Sequence, residues 1–195
     1  MIIKSKLENL SDTQKMVFIL LCAEKLLPNY SFFSRKMVWG NDQVLKDNLL
    51  FFENLLFFEK SNIEKEEINN RIQKVYTITP DTEDFDDVTV SFALDACSVV
   101  ISGLLFLLDF DIEHVVDAAV SSRDTVDIFI QEKNNISSYN KEIEKSILSD
   151  EFMKRELERQ NNIIMCIKNI KYISKRELGL LRNVQPLPII DFNLI

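Results

Sequence analysis

The sequence predicts an all-α fold: a single-domain, multi-helix bundle packed around one central apolar helix at about residues 88–108. Three observations predict it. The 195 residues include only three Gly and four Pro, too few breakers for the many turns of a β-sandwich or barrel. Apolar residues recur at helical spacing through most of the chain. The run VTVSFALDACSVVISGLLFLL, residues 88–108, is interrupted by one charge, Asp95, and reads as a core helix. The apolar fraction of 46% and charged fraction of 28% are ordinary for a globular chain. A chain of this length buries a core without disulfide or metal staples.

The elements follow in order. Ser11 and Gln14 have the spacing of a capping box before an apolar run, which predicts a helix over 11–27 with Met16, Val17, Leu20, Leu21 and Leu27 on one face. Pro28 is expected to end it and to open a second helix through Tyr30, Phe33 and Met37 to Trp39, with Gly40 as the stop. Asn41 or Asp42 restarts a helix through QVLKDNLLFFENLLFFEK. Its apolar positions, including Phe51, Phe52, Phe57 and Phe58, cover more than one face, so it is expected to be buried on two sides. Residues 63–78 carry a narrow stripe (Ile68, Ile72, Val75, Tyr76) among charges and predict an amphipathic surface helix. Pro80 and an acidic run connect to the central helix. Asp109 or Asp111 caps the next helix, which runs to about Lys133, and NNISSYN is a loop. A last helix from about Ser149 to Arg182 repeats Met153, Leu157, Gln160, Ile164, Ile167, Lys171, Ser174, Leu178 and Leu181 in a 4-3 seam. This makes one helical domain over 1–183. Residues 184–195, VQPLPIIDFNLI, form an extended apolar tail that docks on the body.

Charge narrows the function classes. A net charge of −8 and a pI near 4.8 oppose nucleic-acid binding, which needs cations for phosphates, and adhesion to anionic membranes. They suit a protein that attracts a basic partner. Residues 88–108 are long enough to span a bilayer, but Asp95, several hydroxyls and flanking acids favour a core helix. The N-terminus shows no signal peptide. Cys22, Cys97 and Cys166 are far apart in apolar segments, without a CxxC pair and with a single His in the chain. A structural zinc site is therefore not expected; three buried free thiols in a reducing cytoplasm are.

Two constellations carry candidate chemistry. The first is DTEDFDD, with five carboxylates in seven positions: Asp81, Glu83, Asp84, Asp86 and Asp87. It lacks the central Gly and the twelfth-position Glu of a calcium loop. One or two of these acids are expected to favour the N-terminus of the central helix, and the rest to face outward. The second is Glu113, His114, Asp117, Asp124 and Asp127. His114, Asp117, Ser121 and Asp124 share a helical side at 3-4-3 spacing, and Arg123 is placed to pair with Asp127 at i,i+4. A di-iron bundle needs more His than this chain has. Asp95, if buried, needs a partner or a raised pKa. No nucleophile elbow, phosphate loop or dinucleotide fingerprint occurs, so neither catalysis nor a bound metal or cofactor is expected.

LCAEKLLPNYSFF (21–33), DTEDFDDVTVSFALDACSVV (81–100), IEHVVDAAVSSRDTVDIFI (112–130) and the LGLLR ending (178–182) resemble a bacterial family catalogued as domain of unknown function 416. The resemblance covers roughly residues 7–183, and its motif positions are Cys22, Glu24, Pro28, Asn29, Tyr30, Asp95, Ala96, Cys97, Glu113 and His114. It implies an all-helical fold, assigns no activity or residue role, and leans weakly toward signalling.

The functional expectation is a non-catalytic, cytoplasmic binding protein. Its sharper form is an acidic immunity protein that neutralises a basic toxin domain, such as a nuclease, whose phosphate site carboxylates mimic. The partner-binding residues would be Asp81, Glu83, Asp84, Asp86, Asp87, Glu113, Asp117 and Asp124. A signalling or housekeeping adaptor is the alternative.

Overall fold

Helix α5 (Thr89–Asp109) is the hub of the bundle. The computed structural model describes residues 2–57, 64–138, 140–170, 172–184 and 186–195. Among these, α5 packs against α2 (Asp12–Met37), α6 (Ile112–Lys133), α4 (Lys65–Tyr76) and α3 (Asp42–Phe57). Thirteen of its 21 residues are buried, which is why its sequence is apolar nearly all round. α1 (Ile2–Leu7) lies on α6, and α8 (Glu151–Lys168) closes the other side against α6 and α2. α7 (Lys141–Ser149) and α9 (Lys175–Arg182) are short. There is no strand among the described residues. α2 and α5 are both long and apolar enough to cross a membrane, and about two-thirds of each such stretch (67%) is buried within the bundle.

Close approach at the hub depends on Gly103. A Cβ there would meet the Phe52 ring at 2.8 Å and Ile19 at 2.9 Å, so this glycine lets α2, α3 and α5 share one layer. Gly40 has φ +74°, and a Cβ would collide with the Tyr30 hydroxyl.

The chain departs from its sequence reading at four places. Pro28 does not break the helix; α2 runs unbroken from Asp12 to Met37. An interior proline frees the carbonyl four residues earlier and costs about 3 kcal/mol. Pro28 itself is exposed, on the solvent side of α2. The turns on either side bury Leu26, Tyr30 and Phe33 against the core, which offsets the loss. The expected long last helix is two: α8 ends at Lys168 and α9 begins at Lys175. Gln14 ends the first: its side-chain Nε2 donates to the carbonyls of Ile167 (2.8 Å) and Ile170 (3.1 Å). Its Oε1 meanwhile completes the capping box with the Ser11 N–H. A second capping box, Ser174 with Glu177, starts α9. Residues left unassigned between the expected loop and the last helix form most of α7, capped by Asn140, and residues left unassigned at the start of the chain form α1. Finally, Cys166 is exposed, while Cys22 and Cys97 are buried. Phe58, Glu59, Ile63 and Lys171 lie outside the described residues.

The tail packs on the body. Ile189 and Ile190 are buried, and the Phe192 ring stacks on Phe32 (3.9 Å) and meets Phe92 edge-on (6.2 Å). Arg155 donates to the Pro188 carbonyl at 2.8 Å.

Helix α2 ends on Val38, 91% exposed with φ 53°. Its N–H and that of Trp39 both reach the Ser34 carbonyl. A β-branched residue in the left-handed region is strained, and glycine is the usual occupant. Val38→Gly is therefore expected to raise stability by about 0.5–1 kcal/mol in urea denaturation; a loss would contradict the strain.

Candidate functional site

The acidic connection is fixed from below. Phe85 sits edge-on to Phe33 (5.1 Å) and Trp39 (5.5 Å), whose own rings pair at 5.9 Å. Asp87 is tied down twice: Oδ2 pairs with Lys36 at 2.5 Å, and Oδ1 accepts from the Thr89 N–H at 3.0 Å and from the Thr89 hydroxyl. Partial burial works against its charge, yet these bonds hold Asp87 below the usual carboxylate range. Asp87 is thus the acid that serves the N-terminus of α5. Asp81, Glu83, Asp84 and Asp86 are exposed. Asp81 accepts from the Glu83 N–H at 2.9 Å, which shapes the turn.

The second acidic set lies along the outward face of α6. Glu113, Asp117, Val120 and Asp124 are exposed and fall on one side at helical spacing. Glu113 is committed to an ion pair with Lys4. Partial burial pushes the Asp124 carboxyl up. α6 follows α5 through a two-residue link, Phe110 and Asp111, so Glu113 lies beside the far end of α5. At about 1.5 Å per residue, that is about 30 Å from the acidic connection. The structure therefore does not gather the eight predicted residues into one pocket; it strings them along one hairpin.

His114 is drawn away from the helical row. Its Nε2 lies 3.2 Å from Asp109 Oδ2, and Asp111 caps the helix by accepting from the Glu113 N–H. Among the described residues, no three His, Cys, Asp or Glu side chains converge closely enough to hold a metal. Arg123 and Asp127 do not pair; Asp127 accepts from Gln131 Nε2 at 2.6 Å. Asp95 bonds the Thr125 hydroxyl at 2.7 Å across the α5–α6 interface. Burial, opposed by that bond and reinforced by Asp124, pushes its carboxyl up to about 7.

The most buried charges are ones sequence reasoning missed. Glu156, Arg159 and Gln160 are 2%, 3% and 1% exposed. Arg159 makes a two-pronged pair with Glu156, Nε to Oε2 at 2.6 Å and Nη2 to Oε1 at 2.7 Å. Gln160 Nε2 donates to Glu156 (2.7 Å) and to the Ala119 carbonyl (2.9 Å). Arg159 Nη2 also approaches Cys22 Sγ at 3.7 Å. Burial still pushes the Cys22 thiol up against the pull of that arginine. Within RELERQ (155–160) the sequence reading places Leu157 and Gln160 on the seam and gives Glu156 and Arg159 no role. The only sequence signal was Gln160, a polar residue on the 4-3 seam.

Several motif residues serve as joints of the fold. Glu24 pairs with Arg182 of the LGLLR ending, with Nε to Oε2 at 3.0 Å, and Arg182 reaches Glu53 at 2.5 Å. Tyr30 donates to the Ile78 carbonyl at 2.7 Å, and Cys97 Sγ lies 3.9 Å from the same oxygen. Burial pushes the Cys97 thiol up to about 12. The PNY and DAC motifs thus converge on the turn that launches the acidic connection.

Comparison with known proteins places this architecture. An uncharacterized protein of Haemophilus influenzae is 25% identical over 182 residues, covering 92% of this chain and 87% of that one. Uncharacterized protein YjaG of Escherichia coli is 30% identical over 124 residues, 62% of this chain and 61% of its own length. A crystal structure of a DUF416 family protein from Shewanella baltica superposes with a TM-score of 0.82 at 24% identity, covering 92% of this chain and 91% of that one; it shares the fold. The family model described as "Protein of unknown function (DUF416)" matches residues 2–185, and the chain, with its motifs joined in this helical bundle, belongs to that family.

Proposed function

We propose that this protein is a non-catalytic binding protein that docks a basic protein partner on its acidic hairpin face, and that in its sharper form it inhibits a basic toxin domain. One observation carries the reading: Glu83, Asp84 and Asp86 are exposed on a connection anchored by Phe85 between Phe33 and Trp39. Charges held outward on a fixed support keep their position when a partner arrives, so less ordering entropy is lost on binding. Asp117 and Asp124 extend the same sign along α6. Such a field steers a cationic partner and raises its association rate.

The test is affinity capture from the native host with stepwise salt elution, followed by binding of the purified partner to the variant Glu83→Lys/Asp84→Lys/Asp86→Lys. The expected result is a basic protein released only at high salt, bound at least tenfold more weakly by the variant. A partner whose affinity ignores both salt and the charge reversal would overturn this reading and favour an adaptor. Inhibition of the captured protein's nuclease activity would support the sharper form.

A further inference from the structure

We propose that the cavity between α2, α8 and α9 is a binding site for a small organic carboxylate. It encloses about 180 Å³ and is walled by Leu21, Ile163 and Leu181. Its polar lining is Arg159, Lys25 and the Glu24–Arg182 pair. Arg159 is 3% exposed and presents a guanidinium with five N–H donors. Nε and Nη2 are taken by Glu156 and Cys22. Among the described residues Nη1 has no acceptor, and it is not one of the polar atoms sealed from solvent without a partner. Arg159 lines the cavity, and in this proposal the two N–H groups of Nη1 meet the incoming oxyanion.

The charge balance points the same way. In a chain of net charge −8, the cations Lys25, Arg155, Arg159 and Arg182 gather around this cavity and the small one beside it, with Glu24, Glu53 and Glu156 among them. Burial, followed by the charges of Arg159 and Arg155, holds the Lys25 ammonium below its ordinary range despite Glu156. An anion would relieve that crowding, and carboxylate–guanidinium bonds are among the strong ones.

Size and lining choose the anion. The cavity is smaller than the roughly 300–1,000 Å³ of drug-sized sites. Its apolar walls fit a short hydrocarbon body. Glu24 at the lining opposes a doubly charged phosphate more than a singly charged carboxylate.

The test is an NMR titration of the full-length protein with butyrate, followed on the methyl resonances of Leu21, Ile163 and Leu181, with butyramide and inorganic phosphate run in parallel. Butyrate is expected to shift these methyls saturably at millimolar concentration, while butyramide and phosphate do not. Lys25→Gln is expected to weaken butyrate at least tenfold, and Ile163→Phe, which fills the cavity, to abolish the shifts. The Ile163 variant keeps the test valid should Lys25→Gln disturb the fold. No saturable shift, an equal response to butyramide, or undiminished binding in both variants would overturn the site. An equal response to phosphate would overturn its assignment to a carboxylate.

Discussion

Arg159→Met is expected to destabilise the fold by about 3–5 kcal/mol, because it strands a carboxylate in the core. Glu156 is 2% exposed, and with Arg159 gone only the Gln160 amide would still donate to it. A buried pair is weak evidence for net stability, since the desolvation of two ions opposes their attraction. The informative comparison is therefore the double variant Arg159→Met/Glu156→Leu. It removes both charges and keeps the Gln160 bond to Ala119, so it is expected to recover most of the loss. Urea denaturation of the two variants beside the parent decides the matter. A single-variant loss below about 1 kcal/mol would mean that water or a counter-charge reaches Glu156. A double variant as unstable as the single would mean that shape, not charge, governs the site.

Asp95→Asn is expected to stabilise the protein above neutral pH and to remove part of its pH dependence. Burial raises the Asp95 carboxyl to about 7 in the folded state, against an ordinary value near 4 when unfolded. The folded protein thus binds the proton more tightly than the unfolded chain. Below the ordinary carboxylate range both states are protonated, and the group costs nothing. As pH rises from about 4 to about 7 the unfolded state ionises first, so stability falls and then levels off. The full cost above pH 7 is about 2–4 kcal/mol after allowance for residual solvent access. Asparagine carries no titrating proton and still accepts the Thr125 hydroxyl. Other carboxylates, such as Asp42 and Asp109, are held low by their bonds and act in the opposite direction. The quantity to measure is therefore the difference between variant and parent from pH 4 to 8. It is expected to widen with pH, and a constant difference would contradict the shift.

These two residues differ in how legible they were. Asp95 stands alone in a run of apolar residues, so its burial and its need for a partner follow from the sequence. Which hydroxyl answers it, Thr125, lies 30 positions away and follows only from how α5 and α6 cross. Arg159 and Glu156 gave no such warning. A polar string buried on one helical face is indistinguishable from a solvated one until the facing helices are known. The acidic connection was legible as an excess of charge beyond what helix capping requires, but the Phe85 anchor and the Asp87–Lys36 tie that hold it outward are tertiary contacts.

Local chemistry by itself determined the all-helical class, a central helix at about 88–108, the Ser11–Gln14 capping box and a start of the next helix at Asp109 or Asp111, because each depends on residues within a turn or two of one another. Only the tertiary structure decided that Pro28 lies inside a continuous helix, that α8 stops where Gln14 from another helix meets its last carbonyls, and that Glu24 and Arg182 join the two ends of the chain's motif set. In each of these the deciding partner is distant in sequence. The energy of burying the surrounding turns, or of satisfying a carbonyl from across the bundle, outweighs a local preference of a few kcal/mol or less.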